Sequence, residues 1–276
     1  YTAEKIKEYD LSVHFIELGN KYTGDCTFIK AGKTEILIDA GSRQSSVNAI
    51  CDYVTPYIED GLDYVIVTHA HQDHYAGFAT NENVESVFDK LKPKTVITFA
   101  KTNQKESSAL YKNFKRELKE TVDKNGTKVY TAMECYAEEN GAQRTYSLGD
   151  NTELEILYQK YYEQAAKTEN DYSVCAVINQ TTSDGVYRYL FTGNNLGTVK
   201  LYKAGHHGSK TSSSEKLLAA IKPEVVCVCA CAGSSEYTSK NENQFPTQAF
   251  IDRVAVYTEK VHVTSLCVDY EKGEFT

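Results

Sequence analysis

The sequence predicts an α/β (α+β) fold in which two mixed β-sheets pack together with helices outside. Three observations lead to this prediction. Strand-like segments outnumber helical ones, each half of the chain places a histidine-rich loop directly after a strand, and no low-complexity linker separates the halves. We therefore expect a single domain that spans residues 1–276.

In the first half, Gly-containing turns separate short apolar segments, which predicts strands. Val47, Ile50 and Val54 recur at spacings of three and four, which predicts a helix. The unbroken apolar run that precedes the first histidine loop predicts a strand buried on both faces. The predicted strands cover residues 13–18, 26–30, 35–39, 64–67 and 95–99. The predicted helices cover residues 46–59, 84–91 and 106–122.

The second half repeats this alternation of strands and helices. A strand leads into the second histidine-rich loop, and a serine cap precedes the helix that follows. The predicted strands cover residues 128–131, 152–158, 174–179, 187–192, 200–203 and 225–231, with one or two closing strands at 262–268. The predicted helices cover residues 213–221 and 247–256.

The composition is that of an ordinary soluble globular protein, with 41% hydrophobic and 25% charged residues. A net charge of −8 argues against indiscriminate binding to nucleic acid, which relies on Lys and Arg. No apolar run approaches the roughly 20 residues that span a bilayer. Because the chain begins at Tyr1 rather than Met, we expect an N-terminal segment to have been removed or left out, and a signal or lipid anchor could have been lost with it. The localisation is open between cytoplasmic and exported.

Eight cysteines do not form the pattern of a disulfide framework. Cys227, Cys229 and Cys231 alternate along an apolar run, so we expect them on one face of a strand as small buried hydrophobic side chains. A thiolate metal cluster is the alternative, but the chain contains no Cys-x-x-Cys pair. Free thiols favour a reducing compartment or an anaerobic setting.

The loop from His69 to His74 carries the chemistry. Imidazole and carboxylate ligands suit Zn²⁺, Mn²⁺ or Fe. His69 and His71 are two residues apart, so both can point toward one metal. Asp73 and His74 diverge and are expected to serve a second metal about 3.5–4 Å away. A water held there would ionise near neutral pH, and Asp73 would also orient the resulting hydroxide as a catalytic residue.

Two further segments are expected to complete this site. In the run from Gly205 to Ser209, His207 is expected to bind the second metal and His206 to act as a catalytic group that meets a substrate oxyanion. Asp39 ends a predicted strand, where its carboxylate can hold a metal-bound imidazole in the correct tautomer and support catalysis. A turn-initiating Asp before Gly41 is the alternative interpretation. His14 and His262 are expected to be structural.

Together these motifs resemble the metallo-β-lactamase superfamily, whose members share a four-layer αββα sandwich with the metals at the sheet edge. The likeness is greatest to the metallo-β-lactamase-like domain of ComEC competence proteins and their stand-alone relatives, and it covers roughly residues 12–268. Besides the histidine loops, it rests on Gly24-Asp25, Leu148-Gly149-Asp150, Asn170-Asp171-Tyr172-Ser173, Leu190-Phe191-Thr192-Gly193 and the residues from Gly205 to Ser212.

The resemblance implies a metal-dependent hydrolase with one or two Zn²⁺ ions, Mn²⁺ or Fe being alternatives. It implies hydrolysis of phosphodiesters or other phosphoesters by a metal-bound hydroxide, on nucleic acid or on cell-envelope phosphoesters, more than cleavage of β-lactams. Two alternatives stay open. The same site could hydrolyse an ester, lactone or thioester, or the chain could be a metal-binding module that has lost catalysis.

The sequence departs from the family pattern at three places. No histidine lies between His74 and His206, where many members supply another ligand to the first metal. Phe245, where ComEC-like domains often have His, precedes Pro246. Asn194 follows Gly193, where the family has an Asp that bridges the metals.

The third departure has a second interpretation. Only residues 194–199 separate two strands that we expect to be parallel, whereas such a crossover takes a dozen residues or more. We therefore hypothesise that a segment carrying the bridging Asp is absent between about Gly193 and Leu196. If Asn194 truly replaces that Asp, the catalytically impaired module gains weight.

Overall fold

The computed structural model describes residues 9–19, 24–191, 197–235, 237–269 and 274–275. Its strands form one six-stranded sheet, one seven-stranded sheet and a two-stranded ribbon. Both large sheets mix parallel and antiparallel neighbours. The predicted fold class, two mixed sheets with helices, is therefore confirmed.

The first sheet has the strand order β1-β2-β3-β4-β5-β6. Its first three strands are antiparallel neighbours, and each later pair is parallel. The strands are β1 Leu11–Phe15, β2 Thr27–Ala31, β3 Thr34–Ile38, β4 Tyr64–Val67, β5 Thr95–Thr98 and β6 Lys128–Thr131. The helices of this half are α1 Ser46–Val54, α2 Gln72–Tyr75, α3 Val87–Leu91, α4 Ala109–Asn125 and α5 Ala132–Ala137.

The second sheet has the order β13-β12-β11-β10-β9-β8-β7. Strands β7 to β10 pair antiparallel, and β10 to β13 pair parallel. The strands are β7 Thr145–Ser147, β8 Thr152–Leu157, β9 Cys175–Thr182, β10 Gly185–Leu190, β11 Leu201–Lys203, β12 Val225–Ala232 and β13 Val261–Leu266. The helices are α6 Glu215–Ile221 and α7 Gln248–Ala255, and the ribbon is β14 Val268–Asp269 with β15 Glu274–Phe275.

The larger apolar cluster joins the two sheets. It contains Phe28 and Val65 from the first sheet and Leu154 and Ile178 from the second, and each of these side chains is at most 1% exposed. A second cluster lies between the second sheet and its helices, where Phe250 of α7 is fully buried. Burial of this apolar surface holds the layers together.

Two predicted helices differ from the observed ones for local reasons. The helix expected to run to residue 59 stops at Val54 and continues as a 3₁₀ turn, because Pro56 has no N–H to extend the helix. The helix expected from residue 84 begins after Ser86, whose hydroxyl caps it in a capping box with Asp89. Helix α5 and strand β7 were not predicted, since both are short.

The cysteines confirm one simpler expectation. All eight cysteines are buried, as expected for Cys227, Cys229 and Cys231 in β12. Within the described ranges, no helix has the length and apolar character needed to cross a membrane.

Candidate metal centre

The parallel strands bring the chemical groups together. Asp39 follows β3, His69 follows β4 and His206 follows β11, each just after the strand's carboxyl end. The carboxyl ends of neighbouring parallel strands lie on the same side of a sheet, which is where α/β folds place their sites. The two histidine loops therefore meet at one edge of the sandwich although they are more than 130 residues apart.

His69 and His71 form what we call the first half-site. His69 Nε2 and His71 Nδ1 lie 3.0 Å apart. The hydroxyl of Thr68 donates to Asp39 Oδ2 at 2.7 Å, so it can accept a hydrogen bond from His69 Nδ1, 3.1 Å away. Ser173 Oγ lies 3.3 Å from the same nitrogen. His69 therefore carries its proton on Nδ1 and directs the lone pair of Nε2 toward His71.

Asp73, His74 and His207 form the second half-site. His207 Nδ1 donates to the carbonyl oxygen of Cys229 at 2.7 Å, which leaves a lone pair on Nε2 of the neutral ring. That Nε2 faces Asp73 Oδ2 at 2.8 Å. His74 Nδ1 lies 2.7 Å from Asp39 Oδ2, so its Nε2 is the nitrogen left to bind a ligand.

Asp39 connects the two half-sites. Its Oδ1 accepts from the backbone N–H of Thr68 at 2.8 Å, and its Oδ2 accepts from the hydroxyl of Thr68 and from His74. The carboxylate is buried, and its backbone lies in the left-handed region with φ of 61°. Asp is one of the few residues that adopt this region readily. This geometry would allow Asp39 to hold His74 in the tautomer with its proton on Nδ1, as expected. That role of Asp39 is a proposal.

Asp25 and Lys203 form a buried ion pair behind the second half-site. Lys203 Nζ donates to Asp25 Oδ2 at 2.5 Å, and both side chains are at most 5% exposed. Asp25 also lies 3.4 Å from His74 Nδ1 and 3.8 Å from His207 Nδ1. Its Oδ1 is buried and has no hydrogen-bond partner among the described residues.

Gly24 lets Asp25 come this close. A Cβ at Gly24 would lie 2.3 Å from the carbonyl oxygen of Asp73, and the Asp25 N–H donates to that same oxygen at 2.8 Å. No side chain other than hydrogen fits there. The motif Gly24-Asp25 therefore tethers the second half-site to the first sheet.

The pKa values differ between the half-sites. Burial lowers the pKa of His69 far below its ordinary value and lowers that of His71 as well. Burial also opposes protonation of His207, but the Asp25 charge and the bond to Asp73 outweigh it and raise its pKa to about 9. In the same way the carboxylates around His74 raise its pKa against the effect of burial. Burial disfavours ionised Asp25, yet Lys203 and the histidines hold its pKa at about 2.

Aromatic side chains form a rim beside the second half-site. The Tyr237 ring stacks on His207 at a centroid distance of 5.3 Å, and its hydroxyl donates to Asp73 Oδ2 at 3.3 Å. Phe245 packs against the rings of both His206 and His207. His206 borders the open cleft, and burial lowers its pKa.

The donor set fits divalent cations. Two nitrogens held at about 2.0–2.1 Å in a tetrahedral shell lie roughly 3.3 Å apart, close to the 3.0 Å between His69 Nε2 and His71 Nδ1. The four imidazoles of the two half-sites each have a second polar contact, the arrangement that orients metal-bound histidines. His71 obtains its contact from the side chain of Asn170. We conclude that these residues fit a metal of the zinc type.

A group of Asp25, His74 and His207 also has the spacing of a metal site, with one ligand atom from each within 4.8 Å of the others. Asp25 approaches both rings on their Nδ1 sides, where Asp39 and Cys229 already accept hydrogen bonds. Those bonds favour Asp25 as the group behind the imidazoles, with the Nε2 atoms left for a metal.

The structure brings together His69, His71, Asp73, His74, His207 and Asp39, all predicted as site residues, and it places His206 at the cleft. The hypothesis about Gly193, Asn194 and a segment before Leu196 falls on residues outside those that the structure describes. Sequence reasoning did not assign a role in the site to Asp25, Lys203, Thr68 or Tyr237. For Asp25, the Gly24-Asp25 motif was the available signal.

Two packed mixed sheets with clustered histidines and carboxylates at one edge define a metallo-hydrolase fold. Residues 19–80 match a sequence model described as the metallo-beta-lactamase superfamily, a stretch that contains Asp25, Asp39 and the loop from His69 to His74. Over this stretch the chain is similar to the metallo-β-lactamase superfamily.

The similar proteins differ in their sequence identity to this chain and in the length over which they match it. "Recombination protein 2" of Haemophilus influenzae is 29% identical over 111 residues, which cover 36% of this chain and 13% of that protein. The match spans only a small part of that relative and gives weak support to the expected closeness to ComEC proteins.

Among solved structures, the metallo-beta-lactamase fold protein YhfI from Bacillus subtilis is 12% identical, covering 92% of this chain and 96% of that chain, with a TM-score of 0.47. Human tRNase Z, short form, is 12% identical, covering 96% and 97%, with a TM-score of 0.43. Unliganded yeast PDE1 is 11% identical, covering 96% and 90%, with a TM-score of 0.44. Likenesses of this size carry no argument about the reaction.

Proposed function

We propose that this chain is a metal-dependent phosphoesterase whose preferred substrates are phosphodiesters. The observation that carries this proposal is the set of hydroxyl, amide and ammonium groups that line the cleft beside the two half-sites. The cleft has a volume of about 830 Å³ and contains His69, His74 and His206 at its metal end. The larger apolar cluster draws on both sheets, which supports the further proposal that residues 1–276 act as one domain.

The walls of this cleft suit charged oxygens. Thr211, Ser212 and Ser173 contribute hydroxyl groups, and Asn170 and Lys160 add an amide and an ammonium group. Phosphoryl oxygens are strong acceptors for such donors. An apolar acyl group would instead need an apolar slot. In the described part of the chain the aliphatic or thiol lining is limited to Leu217 and Cys175, and the remaining apolar surface comes from the rings of Tyr158, Tyr161 and Tyr202, which carry hydroxyl groups. The lining therefore favours a phosphoester over a carbonyl substrate.

The proposed metal ligands are His69 and His71 in the first half-site and Asp73, His74 and His207 in the second. Zn²⁺ is the proposed ion, with Mn²⁺ and Fe as alternatives. When bound, such an ion lowers the pKa of a coordinated water to near neutrality and polarises a phosphoryl oxygen.

The chain's own groups prepare the site for that chemistry. Asp39 and the Cys229 carbonyl hold the Nδ1 protons of His74 and His207, so both Nε2 atoms present lone pairs. Asp73 places a carboxylate oxygen 2.8 Å from His207 Nε2 and can accept a proton from the nucleophilic water. His206 borders the cleft, where its ring N–H can donate to a phosphoryl oxygen of the substrate.

The test compares three chromogenic substrates with Zn²⁺- or Mn²⁺-loaded protein: bis(p-nitrophenyl) phosphate, p-nitrophenyl phosphate and p-nitrophenyl acetate. We expect the diester to be hydrolysed with the highest kcat/KM. Asp73→Asn should lower that value by about 100-fold, equivalent to about 3 kcal/mol of transition-state stabilisation. Asp52→Asn, an exposed position on α1, is the matched control and should leave the rate unchanged.

Two results would redirect the proposal. Metal-replete protein that hydrolyses only the acetate would favour the ester, lactone or thioester hydrolase. Metal-replete protein that hydrolyses none of the three would favour a metal-binding module without catalysis.

A further inference from the structure

The peptide groups on both sides of Ala70 are held by side chains from distant loops. The N–H of Ala70 donates to Glu169 Oε1 at 3.3 Å, and its carbonyl accepts from Gln104 Nε2 at 2.9 Å. Ala70 is fully buried and lies between β4 and α2, outside any helix or strand. Its backbone groups therefore depend on these two side chains for their hydrogen bonds.

The position of Ala70 gives these two bonds their significance. One of the two peptide planes is shared with His69 and the other with His71. Fixing both planes sets the backbone torsions that connect the two histidines, and with them the relative direction of the two rings. This is the geometry that places His69 Nε2 and His71 Nδ1 3.0 Å apart.

Hydrogen bonds hold the Glu169 carboxylate in a fixed position. Its side chain is buried, and it accepts from the Thr102 hydroxyl at 2.6 Å and from the Asn103 N–H at 2.7 Å. Three donors satisfy this carboxylate, as burial of a charge requires. The same turn supplies Asn170 to His71 and Ser173 to His69.

Gln104 approaches from the first sheet, to which β4 also belongs. It lies in the loop after β5, which neighbours β4, and the Thr102 hydroxyl accepts a hydrogen bond from its backbone N–H at 3.0 Å. Glu169 lies just before β9 of the second sheet. The two side chains therefore link loops of both sheets to a single residue of the histidine loop.

We infer that Glu169 and Gln104 are positioning residues that preorganise His69 and His71 for a metal ion. The inference rests on the proposed metal site and adds that the metal affinities of the two half-sites depend on different supporting groups. The first half-site draws two protein ligands from the described residues, so its affinity depends on how rigidly those two are held. Within the described residues, no hydrogen bond joins Ala70 to Asp73, His74 or His207. The second half-site should therefore depend less on the two hydrogen bonds to Ala70 from Glu169 and Gln104, which we call the clamp.

The experiment is a Co²⁺ titration of the full chain, followed by the visible absorption of the bound ion. His69→Ala and His207→Ala assign the two binding phases to the two half-sites. Gln104→Met removes the donor to Ala70 at similar length and without adding charge. We expect it to weaken Co²⁺ binding to the first half-site about 10-fold, the lower end for groups that orient metal ligands, and to leave the second within about twofold. Gln164→Met, at an exposed position, is the matched control.

Glu169→Gln provides a second variant. A glutamine keeps one acceptor but turns an amide group toward either Ala70 or Asn103, so it should weaken the same half-site and shift its Co²⁺ absorption band. Equal weakening of both half-sites, or unchanged affinity of the first in folded Gln104→Met protein, would overturn the clamp. Wild-type protein that binds no Co²⁺ would overturn the metal site itself, before any variant is compared.

Discussion

The two half-sites differ in what stands behind their imidazoles. In the first, His69 and His71 contact neutral groups, namely the hydroxyls of Thr68 and Ser173 and the side chain of Asn170. In the second, carboxylates lie on the Nδ1 side of both rings: Asp39 at 2.7 Å from His74, and Asp25 at 3.4 Å from His74 and 3.8 Å from His207. A carboxylate behind or beside an imidazole makes it a stronger donor to a metal, whereas a hydroxyl or amide mainly fixes its direction.

This difference indicates that the halves attract a cation by different means. The second half-site concentrates negative charge in a buried position, where Coulomb attraction is screened little. The first relies on two neutral rings at a fixed separation. We therefore expect the second half-site to bind metal more tightly and the first to be more sensitive to loop geometry.

The largest expected effect comes from the ion pair behind the second half-site. Lys203→Met removes the lysine partner of the buried Asp25 carboxylate and leaves only His74 and His207 near it, and breaking one partner of such a pair costs about 3–5 kcal/mol. We expect the free energy of unfolding of the metal-free protein to fall by about that amount. Urea unfolding followed by circular dichroism in the presence of EDTA measures it.

The double variant Asp25→Asn/Lys203→Met removes both charges and should recover most of the lost stability. A double variant as unstable as Lys203→Met alone would show that packing of the lysine stem, not charge balance, supports this side of the site. The comparison between the half-sites would then lose its electrostatic basis.

The next effect tests the tautomer of His74. Asp39→Asn keeps the volume and the left-handed backbone, which Asn adopts readily, but it can present an amide N–H to His74 Nδ1. The ring would then carry its proton on Nε2 and lose the lone pair that faces the metal. We expect Zn²⁺ affinity of the second half-site to fall about 10- to 100-fold.

A competition titration against a chromogenic chelator measures this loss, with Asp52→Asn as the matched control. The first half-site should weaken less, because Thr68 stands between Asp39 and His69. A greater loss at the first half-site would reverse the assignment of Asp39.

Much of the site could be predicted from the sequence because its ligands are local. His69, His71, Asp73 and His74 fall within six residues, and the end of a buried strand fixes where they point. Asp39 was recognisable for the same reason, since it follows an apolar strand. The two-sheet architecture followed from the alternation of apolar runs and turns.

The supporting residues could not be predicted in this way. Lys203 lies 178 residues from Asp25, and Glu169 lies 99 residues from Ala70. Such pairs arise from the packing of the two sheets, which leaves no periodic signal along the chain. A lysine inside a strand or a glutamate in a turn is usually a solvated side chain, so burial alone distinguishes these two.

The smallest expected effect concerns the rim of the second half-site. Tyr237→Phe keeps the ring that stacks on His207 and removes the hydroxyl that donates to Asp73 at 3.3 Å. Because this side chain is 42% exposed, water can replace the lost bond, and we expect kcat/KM for bis(p-nitrophenyl) phosphate to change by only about twofold. Steady-state kinetics of Tyr237→Phe beside Tyr237→Ala separates the hydroxyl from the ring. If Tyr237→Phe lost activity as completely as Asp73→Asn, the hydroxyl would belong with the catalytic groups, and the second half-site would extend to the rim.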